Sequence, residues 1–401
     1  DFVHKLLAYT VSREIWVPIV FETSFIELNR NALKANLSFI RDHIGDERKL
    51  SCVVKGNAYG HGIEQYVPLA EAEGVDHFSV YSADEAQRVF TVNKSNTEIM
   101  IMGAVDGDAL KWAIENGIEF WVFETERLIE ALKFAEELGI KAKMHLELET
   151  GMHRTGFDDT NLPKAISLLK ENDQFYELKG LCTHFAGAES ITNFYRVKEQ
   201  IKVFKRLVKK VERSGLIAER KHACCSAAAL RFPEMMLDMV RVGILQYGFW
   251  PSVETFIEYT KGKAEKEDPL KRLISWKSKV MSVKEVKTGD YVGYGTSYLA
   301  QRDTVMGIVP VGYGHGFTRS LSNQGRALVN GTRVQVMGTV NMNCIAIDLS
   351  DVSHPKKGDT VTLIGYDGDL EVSVASFSEA TNQLNYELLT RLPISIPRIV
   401  V

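Results

Sequence analysis

Between about residues 49 and 247 short, almost continuously apolar runs alternate with longer stretches in which apolar positions recur every three or four residues. The short runs are "LSCVVK", "DHFSVYS", "EIMIMG", "EFWVFE", "KMHLELE", "LKGLCTH", "HACCSAA" and "MVRVGIL". Their length, bounding turns and β-rich composition read as strands buried on both faces. The longer stretches, such as "SADEAQRVF", "ALKWAIENG", "TERLIEALKFAEELG" and "NFYRVKEQIKVFKRLVKKVERSG", read as amphipathic helices. Several open on Ser, Thr or Asp and close at Gly. Ser82 and Glu85 have the S-x-x-E spacing of a capping box. Strands joined by helices predict a parallel sheet, and eight of them predict closure into a (β/α)8 barrel. The stretch "NRNALKANLSFIRDHIG", ahead of the first strand, is expected to close the helical ring or cap it.

After about residue 265 the pattern changes. "GKAEKEDPLKR" is a charged linker, followed by short strands with turn signals: "SWKSKVMSVKEVKTGDYVGYG", "TVMGIVPVGYGHG", "RALVNGTRVQVMGTVNMNCIAIDLS" and "KGDTVTLIGYDGD". Asn330-Gly331 between apolar runs is a hairpin signal. The fold class expected is therefore α/β, a barrel over residues 18–264 followed by a mostly β domain over 265–401. Residues 1–17 are expected to pack on that β domain.

A chain of 401 residues with 45% hydrophobic and 25% charged residues suits two soluble globular domains. A formal net charge of −4 offers no basic field for nucleic acid or an anionic membrane. No apolar run reaches the length of a membrane span. The first residues lack the basic start, apolar centre and small-residue cleavage site of a signal peptide, while the missing initiator Met leaves room for a processed leader. Cys52, Cys182, Cys224, Cys225 and Cys344 form no CxxC pair and lie in apolar runs. They read as reduced core thiols of a cytoplasmic protein, with no zinc site.

Working residues in such barrels come from the C-terminal ends of the strands. The run Cys52, Val53, Val54 ends on Lys55, where scarce water favours a neutral, nucleophilic amine. The plain alternative is a strand that surfaces there, its lysine reaching into water. Tyr59 follows the first strand, Arg154 the fifth in "TGMHRTGF", and His184 the sixth. The seventh ends at Ser226, which opens a helix and so an anion site. The eighth carries Arg241 and then Gly243-Ile244, where backbone N–H groups can approach a ligand. Each has an ordinary reading: a satisfied core histidine, Arg154 paired with Glu147 or Glu149, Arg241 paired with Asp238, Ser226 as a helix cap. Placed around one mouth, a lysine, a phosphate cradle and arginines describe a pocket for pyridoxal phosphate attached to Lys55.

"VVKGNAYGHG" resembles the cofactor-lysine motif of the alanine racemases, fold-type III pyridoxal phosphate enzymes. The resemblance continues through "TGMHRTGF", "THFAGAE", "SAAALRFP", "VRVGILQYG", "GYGTSY", "PVGYGHG" and "GTVNMNCIAID" to "NYELLTRLPISIPRI", from about residue 22 to the C-terminus. It implies that Lys55 holds pyridoxal 5'-phosphate and acts as one acid/base, with Tyr294 of the second subunit as the other. A homodimer with shared active sites follows. Tyr59, Ser226 and the backbone at Gly243-Ile244 would bind the phosphate, and Arg241 would face the pyridine nitrogen. His184 would sit between Arg241 and the Tyr294 phenol. Arg154 would hold the substrate carboxylate, while Tyr313 and the Met342 backbone line the substrate entrance from the partner subunit. The activity implied is interconversion of L- and D-alanine, supplying D-alanine for peptidoglycan.

Four positions depart from the family pattern. Glu147 stands where many members carry a carbamylated lysine that braces Arg154, so no carbamylation is expected. Asn343 replaces an Asp near the entrance and Cys225 an Asn before the phosphate serine. Ile394 takes the place of a tyrosine that contacts the phosphate, which would widen the site toward serine or a broader set of amino acids. Fold-type III decarboxylases share the barrel and lysine but carry a cysteine-containing β-domain motif that is absent here. A non-enzymatic pyridoxal phosphate-binding protein would have the barrel alone.

Overall fold

The computed structural model describes residues 22–401 apart from 95, 265 and 382–384, with the side chains of 378–381 and 385 also left out. The expected N-terminal segment 1–17 lies outside the described residues. The first strand, β1 (Ser24–Leu28), belongs to the C-terminal sheet rather than to the barrel. It leads into helix α1 (Arg30–Ile44), whose first turn is capped by the Asn29 carboxamide accepting from the Ala32 N–H at 2.9 Å. Leu33, Leu37, Ile40 and Ile44 form its buried stripe.

The barrel strands are β2 (Lys49–Val53), β3 (His77–Ser82), β4 (Glu98–Ala104), β5 (Glu119–Val122), β6 (Ala142–Glu147), β7 (Tyr176–Cys182), β8 (Arg220–His222) and β9 (Met239–Val242). All pair in parallel, in the order β8-β7-β6-β5-β4-β3-β2-β9. The seam between β8 and β9 is closed by the Asp238 N–H to the Lys221 carbonyl and the Arg241 N–H to the Cys224 carbonyl, both 3.0 Å. The eight strands thus make a nearly closed barrel with its helices outside. α1 packs beside the turn that follows β9: buried Asn36 donates to the Gln246 carbonyl at 3.2 Å and the Lys271 carbonyl at 2.8 Å.

Two local expectations are corrected. In the "HACCSAA" run the regular strand ends at His222 and only isolated contacts to Arg241 continue through Cys224 and Cys225, because the Ala-rich segment that follows is a better helix than strand and starts its helix at Ser226. The capping box at Ser82 does not form. Its hydroxyl turns to the Asp84 carboxylate, while Glu85 reaches the N–H groups of Tyr81 at 3.0 Å and Gly56 at 2.6 Å. Glu85 is drawn away from the cap by an unsatisfied backbone donor beside the mouth.

The second sheet comprises β1 with β10 (Ile274–Lys279), β11 (Ser282–Val286), β12 (Thr304–Val309), β13 (Arg326–Val329), β14 (Thr332–Met337), β15 (Ile345–Asp348), β16 (Thr360–Asp367), β17 (Leu370–Val372) and β18 (Arg398–Val400). Its order is β11-β12-β15-β14-β13-β16-β10-β1-β18, with β17 on β16. Asn330 and Gly331, at φ 48° and 71°, make the two-residue turn between β13 and β14. Fully buried Trp276 and Phe317 anchor this core. The charged linker is pinned where Asp268 accepts from the Trp250 indole at 2.9 Å. No described helix is long and apolar enough to cross a membrane.

The two sheets meet at an unusual turn. After Lys55 the chain runs left-handed through Gly56, Asn57, Ala58 and Tyr59, with φ between 51° and 62°. Such a run costs roughly 1–2 kcal/mol per non-glycine residue. It is held by Glu85 on the Gly56 N–H, by Arg88 donating to the Asn57 carboxamide at 2.6 Å, and by Arg398 donating to the Gly60 carbonyl at 2.8 Å. Arg398 also donates to the carbonyls of Pro393 at 2.6 Å and Ile394 at 3.0 Å, tying the last strand to the lysine turn. Replacing it by Met keeps the length and removes every donor. We expect Arg398→Met to cost about 1–3 kcal/mol in urea unfolding; an unchanged midpoint would show that the clamp carries no stability.

Candidate active site

Lys55 lies two residues beyond β2, at the C-terminal mouth of the barrel. The residue keeps surface open to solvent, while the protein packed around the mouth acts on its charge. Burial pushes its pKa below the ordinary lysine value. The Arg154 and Arg241 charges push the same way, against Glu85 and Cys225. Tyr59, at the end of the left-handed turn, packs its ring 5.1 Å from Tyr247 and edge-on to Tyr386 at 6.2 Å. Burial raises its phenol pKa, so it remains a hydroxyl donor.

Ser226 Oγ accepts the Gly243 N–H at 2.9 Å. A Cβ on Gly243 would stand 2.7 Å from the Tyr59 hydroxyl, so only glycine admits that approach. Ile244 opens the short turn that follows. Two hydroxyls and a side-chain-free backbone therefore converge beside the lysine. That donor set fits the phosphate of a lysine-bound cofactor, one small anion and one carbonyl carbon within reach of a single mouth.

Arg241 is only 3% exposed, which removes the surface pairing with Asp238. It donates to His222 Nδ1, to the Thr183 carbonyl at 2.8 Å and to the Ala223 carbonyl at 3.3 Å, and stacks over Trp121. Burial and the charges of Arg241, Arg154 and Lys55 push His184 down to about 3, so it is a neutral imidazole. The imidazole bonded to Arg241 is His222, which the sequence reading did not single out. Arg154 lies exposed on the loop after β6. Glu149 is not its partner: its carboxylate accepts the N–H groups of Met152 at 2.8 Å and His153 at 2.9 Å.

Tyr294, Tyr313 and Met342 come together in one place. They line a cleft of about 520 Å³ with Arg319, Asn343 and Cys344, all from the β-rich half. Tyr294 is 73% exposed. The structure brings together Lys55, Tyr59, His184, Ser226, Arg241, Gly243 and Ile244 around the barrel mouth, with Arg154 near enough for its charge to act on Lys55.

Family models for the N-terminal and C-terminal domains of alanine racemase match residues 28–251 and 273–400. An alanine racemase of Leptospira interrogans is 33% identical over 383 residues, spanning 94% of this chain and 96% of that protein. The chain belongs to the alanine racemase family. Crystal structures of alanine racemases superpose on it closely. That from Bacillus anthracis, with bound L-Ala-P, has a TM-score of 0.86 at 30% identity and covers 96% of both chains. That from Bartonella henselae, with covalently bound pyridoxal phosphate, has a TM-score of 0.80 at 25% identity and covers 95% of this chain and all of that one, 100%. Alanine racemases are pyridoxal phosphate-dependent racemases, and the cradle beside Lys55 fits that cofactor.

The departures from the family pattern have definite surroundings. Glu147 is buried, and burial raises its pKa against the pull of the Thr155 hydroxyl and the arginines. Cys225 sits half-buried directly ahead of Ser226, bridged to Arg241. Asn343 lines the Tyr294 cleft. Ile394 is 66% exposed and lines a separate cleft with Asn57, Glu64, Arg88 and Arg398.

A lowered pKa leaves more of Lys55 neutral at any given pH. In the cofactor-free protein, acylation followed by mass spectrometry over a pH series should therefore reach Lys55 at a lower pH than exposed Lys34 and Lys164. Reaction in step with those two would mean that the amine is not desolvated.

Proposed function

We propose that this chain interconverts L- and D-alanine with pyridoxal phosphate held at the barrel mouth, using Lys55 and Tyr294 of the partner subunit as the two proton-transfer groups. It works as a cytoplasmic homodimer that supplies D-alanine for peptidoglycan. The observation that carries this reading is the convergence of Tyr59, Ser226 and Gly243 at the mouth where Lys55, its pKa lowered, ends the first barrel strand. The family membership and the relatives with bound L-Ala-P and pyridoxal phosphate support it.

When bound, pyridoxal phosphate supplies an electron sink for negative charge at the amino-acid Cα. The chain supplies the rest. Tyr59, Ser226 and the Gly243-Ile244 backbone hold the phosphate end. Arg241 offers hydrogen bonds toward the ring and does not release a proton. Arg154 presents a fork suited to the substrate carboxylate. Racemisation removes a proton from one face of Cα and delivers one to the other, so two groups must flank it. Lys55 Nζ, its pKa lowered by burial, serves one face. Tyr294 Oη serves the other, and its 73% exposure in an aromatic cleft, together with exposed Met342 and Tyr313, supports a second chain covering that surface.

Incubating the cofactor-loaded protein with L-alanine in deuterated water should exchange Cα–H and yield D-alanine by NMR; no exchange would overturn the reading. Tyr294→Phe should slow exchange from one enantiomer roughly 10²–10⁴-fold. Mixing inactive Lys55→Ala and Tyr294→Phe proteins should restore up to about a quarter of wild-type activity, since about half the dimers then hold one intact shared site. No recovery after verified subunit exchange would refute the shared site.

A further inference from the structure

Beneath Arg241 the barrel interior carries a column of titratable side chains that the proposed chemistry does not use. His77, Glu119, His145 and His222, from β3, β5, β6 and β8, are each at most 1% exposed. His222, His145 and Glu119 are bonded in series, and His77 Nε2 joins as a branch 3.4 Å from Glu119 Oε2. His222 Nδ1 faces Arg241 Nη1, His222 Nε2 lies 2.9 Å from His145 Nδ1, and His145 Nε2 lies 2.8 Å from Glu119 Oε2. The intervening strand β7 gives way to this contact: a Cβ on Gly180 would stand 2.2 Å from His145 Nδ1 and 2.9 Å from His222 Nε2.

The two ends set one direction for the whole series. A guanidinium only donates, so His222 must turn a lone pair to it from Nδ1. Its proton then sits on Nε2 and is donated to His145 Nδ1. His145 carries its own proton on Nε2, donated to a carboxylate that only accepts. The charge states agree. Burial lowers the pKa of both imidazoles, with Arg241 adding to the effect at His222. Burial pulls Glu119 upward, but hydrogen bonds from His145 and His77 outweigh it and hold the carboxyl well below its usual range.

Glu119 is itself anchored at the barrel floor. Its other oxygen lies 3.8 Å from Arg220 and 4.0 Å from Lys179. His77, Glu98 and Glu119 have metal-ligand spacing among the described residues. However, Arg220 at 3.1 Å and Lys49 at 3.0 Å already pair with Glu98, so cationic side chains fill the role an ion would have.

We infer that Glu119 is a positioning residue for the barrel-mouth site. Through His145 and His222 it fixes two imidazole tautomers, so that Arg241 meets an acceptor from below and stays a fixed, proton-retaining donor toward the mouth. Its effect on turnover rests on the proposed racemisation; the tautomers do not. Glu119→Gln keeps the shape but brings an amide that can donate to His145, reversing the series until two N–H groups face each other at Arg241.

The test is 15N NMR of histidine-labelled, pyridoxal phosphate-loaded protein, with His145 and His222 assigned by single His→Asn variants. We expect both rings to be neutral Nε2–H tautomers across a pH series. An Nδ1–H or cationic ring at either position overturns the inference. In Glu119→Gln the single tautomer at His222 should be lost and the absorption band of the bound cofactor should move. kcat for alanine should fall about 10–100-fold with KM little changed. Gly180→Ala, which wedges a methyl between the rings while keeping Glu119, should give the same spectral loss. Unaltered tautomers, band and kcat in a folded Glu119→Gln protein would also overturn the inference. If that variant does not fold, the wild-type tautomers decide. Because they are read without turnover, a protein that leaves alanine untouched would sink the racemase reading separately.

Discussion

The left-handed passage from Gly56 to Tyr59 is the constraint around which the barrel mouth is organised. A right-handed turn there would carry the chain off the strand end in another direction and take Tyr59 away from Gly243. Because L-residues resist this conformation, the surroundings must over-determine it. Three residues from two parts of the chain do so: Glu85 and Arg88 from the helix after β3, and Arg398 from the last strand. The place of the lysine and the place of the phosphate hydroxyl are thus one problem with one solution.

Arg241 poses the opposite demand. A guanidinium inside a barrel is costly unless each face finds a partner. Here carbonyls of Thr183 and Ala223 take one side, His222 another, and Trp121 the flat face. The barrel gives up hydrocarbon to accommodate it, replacing the usual layered Val, Ile and Leu with histidines and a glutamate. What it gains is direction: apolar packing would locate the arginine but would not say which of its atoms meets an acceptor.

Much of this was legible in the sequence because strand periodicity and turn chemistry are local. The eight barrel strands, the Asn330-Gly331 hairpin and the residues at the strand ends all follow from short windows. Strand β8 was overestimated where "CCSAA" satisfies both β and helical patterns, and only the start of the helix at Ser226 decides between them. The capping box at Ser82 failed for a tertiary reason, a backbone donor at Gly56 that no local window contains. His77, His145 and His222 were passed over because a lone histidine in an apolar run usually reads as core. A usable signal was present: Glu119 opening "EFWV" and His145 inside "MHLE" put ionisable groups into strands buried on both faces, and such groups rarely stand there singly. Tyr294 follows from family resemblance alone, since among the described residues it lines a cleft of the β-rich half.

The edge of the second sheet has a consequence for how the molecule comes into being. β1 lies between β10 and β18, and it pairs in parallel with β18 across almost the whole described chain. Arg398, which steadies the lysine turn, is 338 residues away from Gly60 in sequence. During synthesis the barrel strands emerge in order and can begin to pair with their neighbours, and Glu85 and Arg88 can reach the turn beside Lys55 early, yet its Arg398 clamp is missing until residue 398 has been made. A partly made chain would therefore present a loose lysine loop, and the geometry that distinguishes a cofactor site from an ordinary strand end arrives late, with the last strand.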